Sequence, residues 1–224
     1  MDRAKPHHSG EEKARSVRKS RSPRMKADDR RKQLLEAAIQ CFASYGYKGA
    51  TTAILARAAH VSEPVLYQHF KSKQDLFVML IHEVGREVIR SWRHAIAPLK
   101  SPMDQLRVLF RLNPATTDAR TRQLYRVIFM AQTEINDPRI HAALCDHYEQ
   151  YARFLAHVLK RAQRTHQVRR DVSPVGLAWQ LIHAAIGFAF IKPLDIPGHA
   201  TPANVEQTIG LLIELLAGDD LGKS

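Results

Sequence analysis

Several kinds of chemistry are missing from this 224-residue chain. It has two cysteines, Cys41 and Cys145, far apart and each inside a helical pattern. That usage implies a reducing compartment, with the cytoplasm as the default, and no disulfide framework. Only ten glycines are present, and none falls in a G-x-S-x-G elbow or a phosphate-cradling loop. H-E-x-x-H is absent too, so no catalytic residue, metal or cofactor is expected. Aromatic residues amount to 7%, and no useful stretch alternates apolar with polar, which removes the sheet-based folds. No run of eighteen apolar residues exists, so no membrane-spanning helix is expected. The basic, polar N-terminus lacks the hydrophobic segment of a secretory signal.

What remains is a soluble composition, 45% apolar and 25% charged, in a chain long enough for one large domain or two small ones. The net charge is +12 and uneven. Residues 1–27 hold half of it, with no apolar periodicity, and are expected to form a disordered basic arm. Such asymmetry points to a polyanionic partner. Arg15, Arg18, Lys19, Arg21 and Arg24 could track phosphates or enter a minor groove. A merely solvated tail accounts for the arm equally well.

From Asp28 onward the pattern is helical almost everywhere. Leu35, Ile39 and Phe42 recur at helical spacing up to a stop at Tyr45-Gly46. Ser101-Pro102, Asp137-Pro138, Ser173-Pro174 and Thr201-Pro202 each pair a capping side chain with proline at the first helical position, where no N–H is needed. Ser72 with Asp75 resembles a capping box and opens a long helix to about Ala97. The fold class is all-α, with about nine helices. The expected division is the arm at 1–27, a helix-turn-helix domain at 28–75, and a sensing and dimerisation domain at 76–224.

The most informative stretch is Thr51 to Leu76. A short helix from about Thr52 to Ala59 is followed by a sharp turn at His60-Val61. Ser62 then caps a second short helix through Phe70, with Glu63 and Pro64 in its first turn. This is a helix-turn-helix, its second helix sized for the major groove. Ala56 and Ala59 let the pair cross closely, and Val61, Leu66 and Phe70 fill the wedge beneath. The run Thr51-Thr52, Leu55-Ala56, Ala59-His60-Val61-Ser62, Leu66-Tyr67-Gln68-His69-Phe70-Lys71-Ser72-Lys73 and Leu76 resembles the DNA-binding domain of TetR-family repressors. Two positions depart from the family, which usually has glycine where this chain has His60 and Pro64. Histidine visits positive φ more readily than β-branched residues. Pro64 stiffens the first turn and bears on how the helix meets bases.

The resemblance implies a homodimeric repressor on a roughly palindromic operator, its recognition helices about 34–36 Å apart, released by a small ligand. Tyr67 and His69 are expected at phosphates, the buried face being supplied by Leu66 and Phe70. Lys73, at the dipole-positive start of the next helix, is a further phosphate candidate. Lys48 and Thr52 lie at the approach to the first short helix and are candidate contacts to the DNA backbone. Glu63, Val65 and Gln68 point outward as candidate base readers.

The remaining 150 or so residues would sense ligand and dimerise. On the last two helices, Leu177, Leu181, Ala184 and Phe188 form one stripe and Ile209, Leu212, Ile213 and Leu216 another. Together they suit a four-helix interface between two copies. Trp92, Phe110, Tyr125, Phe129 and Met130 are large groups that could wall a cavity, as are Tyr148, Tyr151, Phe154, Trp179 and His183. Such side chains also fill ordinary core, and as a set they suggest an apolar ligand. His141, Cys145 and Glu149 share a helix face but span about 12 Å, too far for one metal ion. Two other readings stay open: a ligand-independent DNA-binding activator or nucleoid-type protein, and an all-α enzyme or lipid-binding module with an incidental basic tail.

Overall fold

The computed structural model describes residues 27–112 and 119–217. The basic arm therefore lies outside the described residues, apart from its last residue. Within them the chain folds into nine α-helices and no strand. In order these are α1 (Ala27–Gly49), α2 (Thr52–Ala58), α3 (Glu63–His69), α4 (Lys73–Ile96), α5 (Pro102–Arg111), α6 (Ala119–Gln132), α7 (Pro138–Arg164), α8 (Pro174–Ile191) and α9 (Pro202–Ala217). A 3-10 turn, Lys192–Leu194, extends α8.

Each cap-proline pair starts a helix. The Ser101, Ser173 and Thr201 side chains accept from the backbone N–H three residues on, and Asp137 accepts from both Arg139 and Ile140. Ser72 accepts from the Asp75 N–H at 3.0 Å, while the Asp75 carboxylate reaches back to the Lys71 N–H. The expected stop at Gly46 is a break: Gly46 sits at φ 71° and ψ 171°, and one further turn follows it. Ser62 corrects its expected role. It occupies the N-cap position of α3, but its hydroxyl makes no capping bond.

Two apolar clusters run through the molecule. One joins α1, α2 and α3 to the first half of α4 and to α6 and α7, through Phe42, Leu55, Leu66, Phe70 and Phe77. The other joins the far half of α4 to α5, α7, α8 and α9. The helix-turn-helix is thus welded to the body by shared core. α7 packs against both α4 and α8, so it touches elements of both clusters.

The expectation about membrane spans meets one qualification, in the segment Pro174–Leu194. By length and composition it is apolar enough to cross one. The sequence reading demanded an unbroken apolar run and was misled by Gln180 and His183. In this fold Leu177, Ala178, Leu181, Ile182 and Ala189 are buried, so one side of the helix belongs to the protein core.

Candidate nucleic-acid interface and effector cavity

The turn between α2 and α3 is closed by two backbone bonds, Val61 N–H to the Ala56 carbonyl and His60 N–H to the Arg57 carbonyl, both 3.0 Å. This is the pattern that ends a helix through a left-handed residue. His60 is that residue, at φ 54°, so the turn forms without the glycine common in the family. The Thr51 hydroxyl accepts from the Ile54 N–H and caps α2. Leu55, Ala56, Ala59, Leu66 and Phe70 are all buried, which fixes the opposite face of α3 toward solvent.

On that face Tyr67 is 48% exposed, and Gln68 beside it is exposed as well. Val65 and His69 are half-buried. The Glu63 carboxylate accepts the Thr52 hydroxyl at 2.6 Å. These two candidate contacts therefore also pin the first turn of α3 to the first turn of α2. Lys48 is exposed. The Lys73 ammonium donates to the Tyr47 carbonyl at 2.9 Å and lies 4.5 Å from the centre of the Tyr47 ring. It fastens the start of α4 to the broken end of α1. Arg57 and Lys71, which the sequence reading passed over, are exposed at the end of α2 and just after α3. Their signal was available: each is a cation next to a position already assigned to the motif.

A polar clasp joins this unit to α7. Arg139 donates to the Gln74 side-chain oxygen at 2.9 Å and to the Asp75 carboxylate at 3.0 Å. Gln74 in turn donates to Asp137, the α7 cap. That bond, with the backbone bonds at the cap, holds the Asp137 carboxyl below its ordinary pKa. No local pattern pairs residues more than 60 positions apart, so the clasp was invisible in the sequence.

Farther along α7 lies a cavity between α4, α5, α6, α7, α8 and α9. Water-sized spheres can occupy about 90 Å³ of it. Of the ten residues expected to wall it, Trp92, Phe110, Tyr125, Tyr148 and Tyr151 do so. The other five are elsewhere: Phe129, Met130, Phe154 and Trp179 are half-buried against the core clusters, and His183 is exposed. Several side chains assigned to dimerisation also line this cavity, namely Leu181, Ala184, Phe188, Ile209 and Leu212. Leu177 and Leu216 are buried in the same chain, and Ile213 is half-buried. The apolar groups left in solvent are others: Val175 and Phe190 on α8, Leu194 after it, and Leu211 and Leu215 on α9. α8 is apolar nearly all round, so its periodicity could not say which side faces inward.

His141 and Cys145 approach to 3.8 Å, while Glu149 pairs with Arg153. Among the described residues no group of three or more His, Cys, Asp or Glu is placed to hold a metal ion.

Comparison with known proteins accords with this geometry. The family model described as "Bacterial regulatory proteins, tetR family" matches residues 34–80. The HTH-type transcriptional activator FasR of Mycolicibacterium smegmatis is 37% identical over 87 residues, 39% of this chain and 40% of that protein. An HTH-type transcriptional repressor of Mycobacterium tuberculosis is 27% identical over 143 residues, 64% of this chain and 71% of that one. Over its first two curated relatives the chain spans about half of their length. Among solved structures, Salmonella enterica GusR superposes with a TM-score of 0.71 at 21% identity, covering 86% of this chain and 97% of its own. That is a likeness of fold. FasR and the Mycobacterium tuberculosis protein are both named as transcriptional regulators.

Proposed function

We propose that this chain, which carries the helix-turn-helix domain of the tetR family, is a cytoplasmic transcriptional regulator that binds a palindromic operator as a homodimer and is released by a small apolar ligand. The observation that carries DNA binding is the orientation of α3. Leu66 and Phe70 are spent on the core, which leaves Tyr67 and Gln68 standing in solvent. Lys48, Arg57 and Lys71 are exposed alongside, and cations of this kind supply the sequence-independent attraction to phosphate. Thr52 and Glu63 set the angle of α3, His69 and Lys73 flank it, and Val65 borders the reading face.

Dimerisation is supported by the face of α8 and α9 that the chain does not cover itself. Phe190 is 67% exposed, and Leu211 and Leu215 are 59% and 52% exposed. A cluster of large apolar groups in water marks an association surface. Two such faces related by a two-fold axis make a four-helix contact and duplicate α3 on one side of the dimer.

Release is supported by the cavity on α7 and by the clasp at that helix's other end. A ligand that binds best with α7 displaced would pull on Asp137 and Arg139, hence on the start of α4, which directly follows α3. Only such differential affinity for two arrangements can change DNA binding. FasR is named an activator and the mycobacterial relative a repressor, so the sign of regulation is read from a promoter fusion; we expect repression. The test of DNA binding is titration of duplex against wild type and Tyr67→Ala. The variant should lose about tenfold in affinity, one polar contact's worth, with stability changed by less than about 0.5 kcal/mol. Equal affinity of both proteins for duplex would remove α3 from the interface.

A further inference from the structure

The lining of the cavity says what class of molecule it holds, an inference that rests on the effector cavity proposed above. Among the described residues its lining side chains include no acid, no base and no histidine. Their polar atoms are the hydroxyls of Tyr125, Tyr148, Tyr151 and Thr208 and the Trp92 indole N–H. Tyr148 accepts from the Gln132 side-chain amide at 3.3 Å. Tyr151 is different. It is 97% buried (3% exposed), and its hydroxyl, in no well-formed hydrogen bond, faces the Tyr125 hydroxyl; where one phenol donates to the other, the second still has its own O–H to place. Burial pushes both phenols above their ordinary range, so at neutral pH each carries its proton. A buried donor left unpaired is unfavourable, and such a group is normally satisfied by water or by a ligand.

We infer that the cavity takes a small neutral molecule with an apolar body and one hydrogen-bond acceptor, a ketone or ester carbonyl, set against the Tyr151 hydroxyl. Two alternatives fit worse. A carboxylate would meet no cation among the described lining residues, and an unbalanced buried charge is expensive. A quaternary ammonium could rest on the aromatic rings, yet it has no acceptor and would leave the Tyr151 hydroxyl unpaired. The cavity, about 90 Å³, has room for more than a single water. A molecule of about ten non-hydrogen atoms, larger than a single water, is the size chosen to probe it.

The experiment is calorimetric titration of the full chain with three probes of that size: 2-nonanone, octanoate and heptyltrimethylammonium. The ketone should bind at least about tenfold more tightly than either ion, the factor one buried hydrogen bond supplies. Tyr151→Phe keeps the ring and removes the hydroxyl. It should weaken the ketone by about tenfold and raise or preserve the melting temperature, since it deletes an unsatisfied group. The wild-type ranking of the probes stands on its own should that variant fail to fold. Tighter binding of either ion, no loss in Tyr151→Phe, or binding of none of the three overturns the inference. Duplex titration of the ligand-free protein, run alongside, reports separately on the DNA-binding reading.

Discussion

His147 sits with its ring fully buried on α7, its Nδ1 facing Gly85 of α4 so closely that a methyl group there would lie 3.2 Å away. Neither ring nitrogen has a satisfactory hydrogen-bond partner. Burial drives its pKa down from 6.5 to about 4, with His82 adding to that, against the opposing pull of the Ile81 backbone and the Asp146 carboxylate. The sign of the consequence follows. Above about pH 6.5 the ring is neutral folded or unfolded and contributes no pH dependence. Between about 6.5 and 4 the unfolded chain binds the proton and the folded one does not, so stability falls as pH falls. Over that window the loss should be of order 3 kcal/mol. Urea unfolding from pH 7.5 to 4.5 should show this slope in the wild type and a flatter one in His147→Gln; identical slopes would exclude His147 as its source. Residue-scale reasoning from sequence was uneven for a physical reason. That Tyr67 faces out could be read from Leu66 and Phe70, its neighbours on a short helix. That Glu63 is tied to Thr52 could not, because the crossing of α2 and α3 decides it.

At the scale of elements, helix starts were legible and helix faces were not. A cap and a proline act within four residues, so Ser101, Asp137, Ser173 and Thr201 each announced a helix that the fold contains. The left-handed turn at His60 belongs to the same local class. Which side of α8 turns inward depends on α7 and the cavity, far away in sequence, and a helix apolar nearly all round carries no stripe to decide it. Leu181, Ala184 and Phe188, expected at an interface, line a cavity in the single chain, while Phe190 and Leu211 stand exposed. The clasp between α4 and α7 is the element-level prediction. Arg139→Ala removes the bonds to Gln74 and Asp75 without touching α3 or the cavity. DNA affinity without ligand and ligand affinity without DNA should each change by less than threefold. The factor by which ligand weakens DNA binding should shrink by about 0.5–2 kcal/mol, measured by titrating duplex with and without saturating ligand. An unchanged factor would place the coupling elsewhere.

At the scale of the whole molecule, the proposed dimer would place two α3 helices on neighbouring turns of a duplex. The Leu211→Glu, Leu215→Glu double variant puts charge on the exposed face of α9 while leaving the buried Ile209 and Leu216 in place. It should sediment as a monomer, retain its helical content and lose at least about a hundredfold in operator affinity, since the second half-site no longer adds its contacts. The central claim, that paired α3 helices read a symmetric site, is tested most directly by selecting tight binders from a pool of random duplexes at physiological salt. The expected outcome is a two-fold symmetric sequence with half-sites about one helical turn apart, bound at least about a thousandfold more tightly than a scrambled duplex and lost in Tyr67→Ala. Recovery of no common sequence, or equal affinity for the selected and scrambled duplexes, would contradict it.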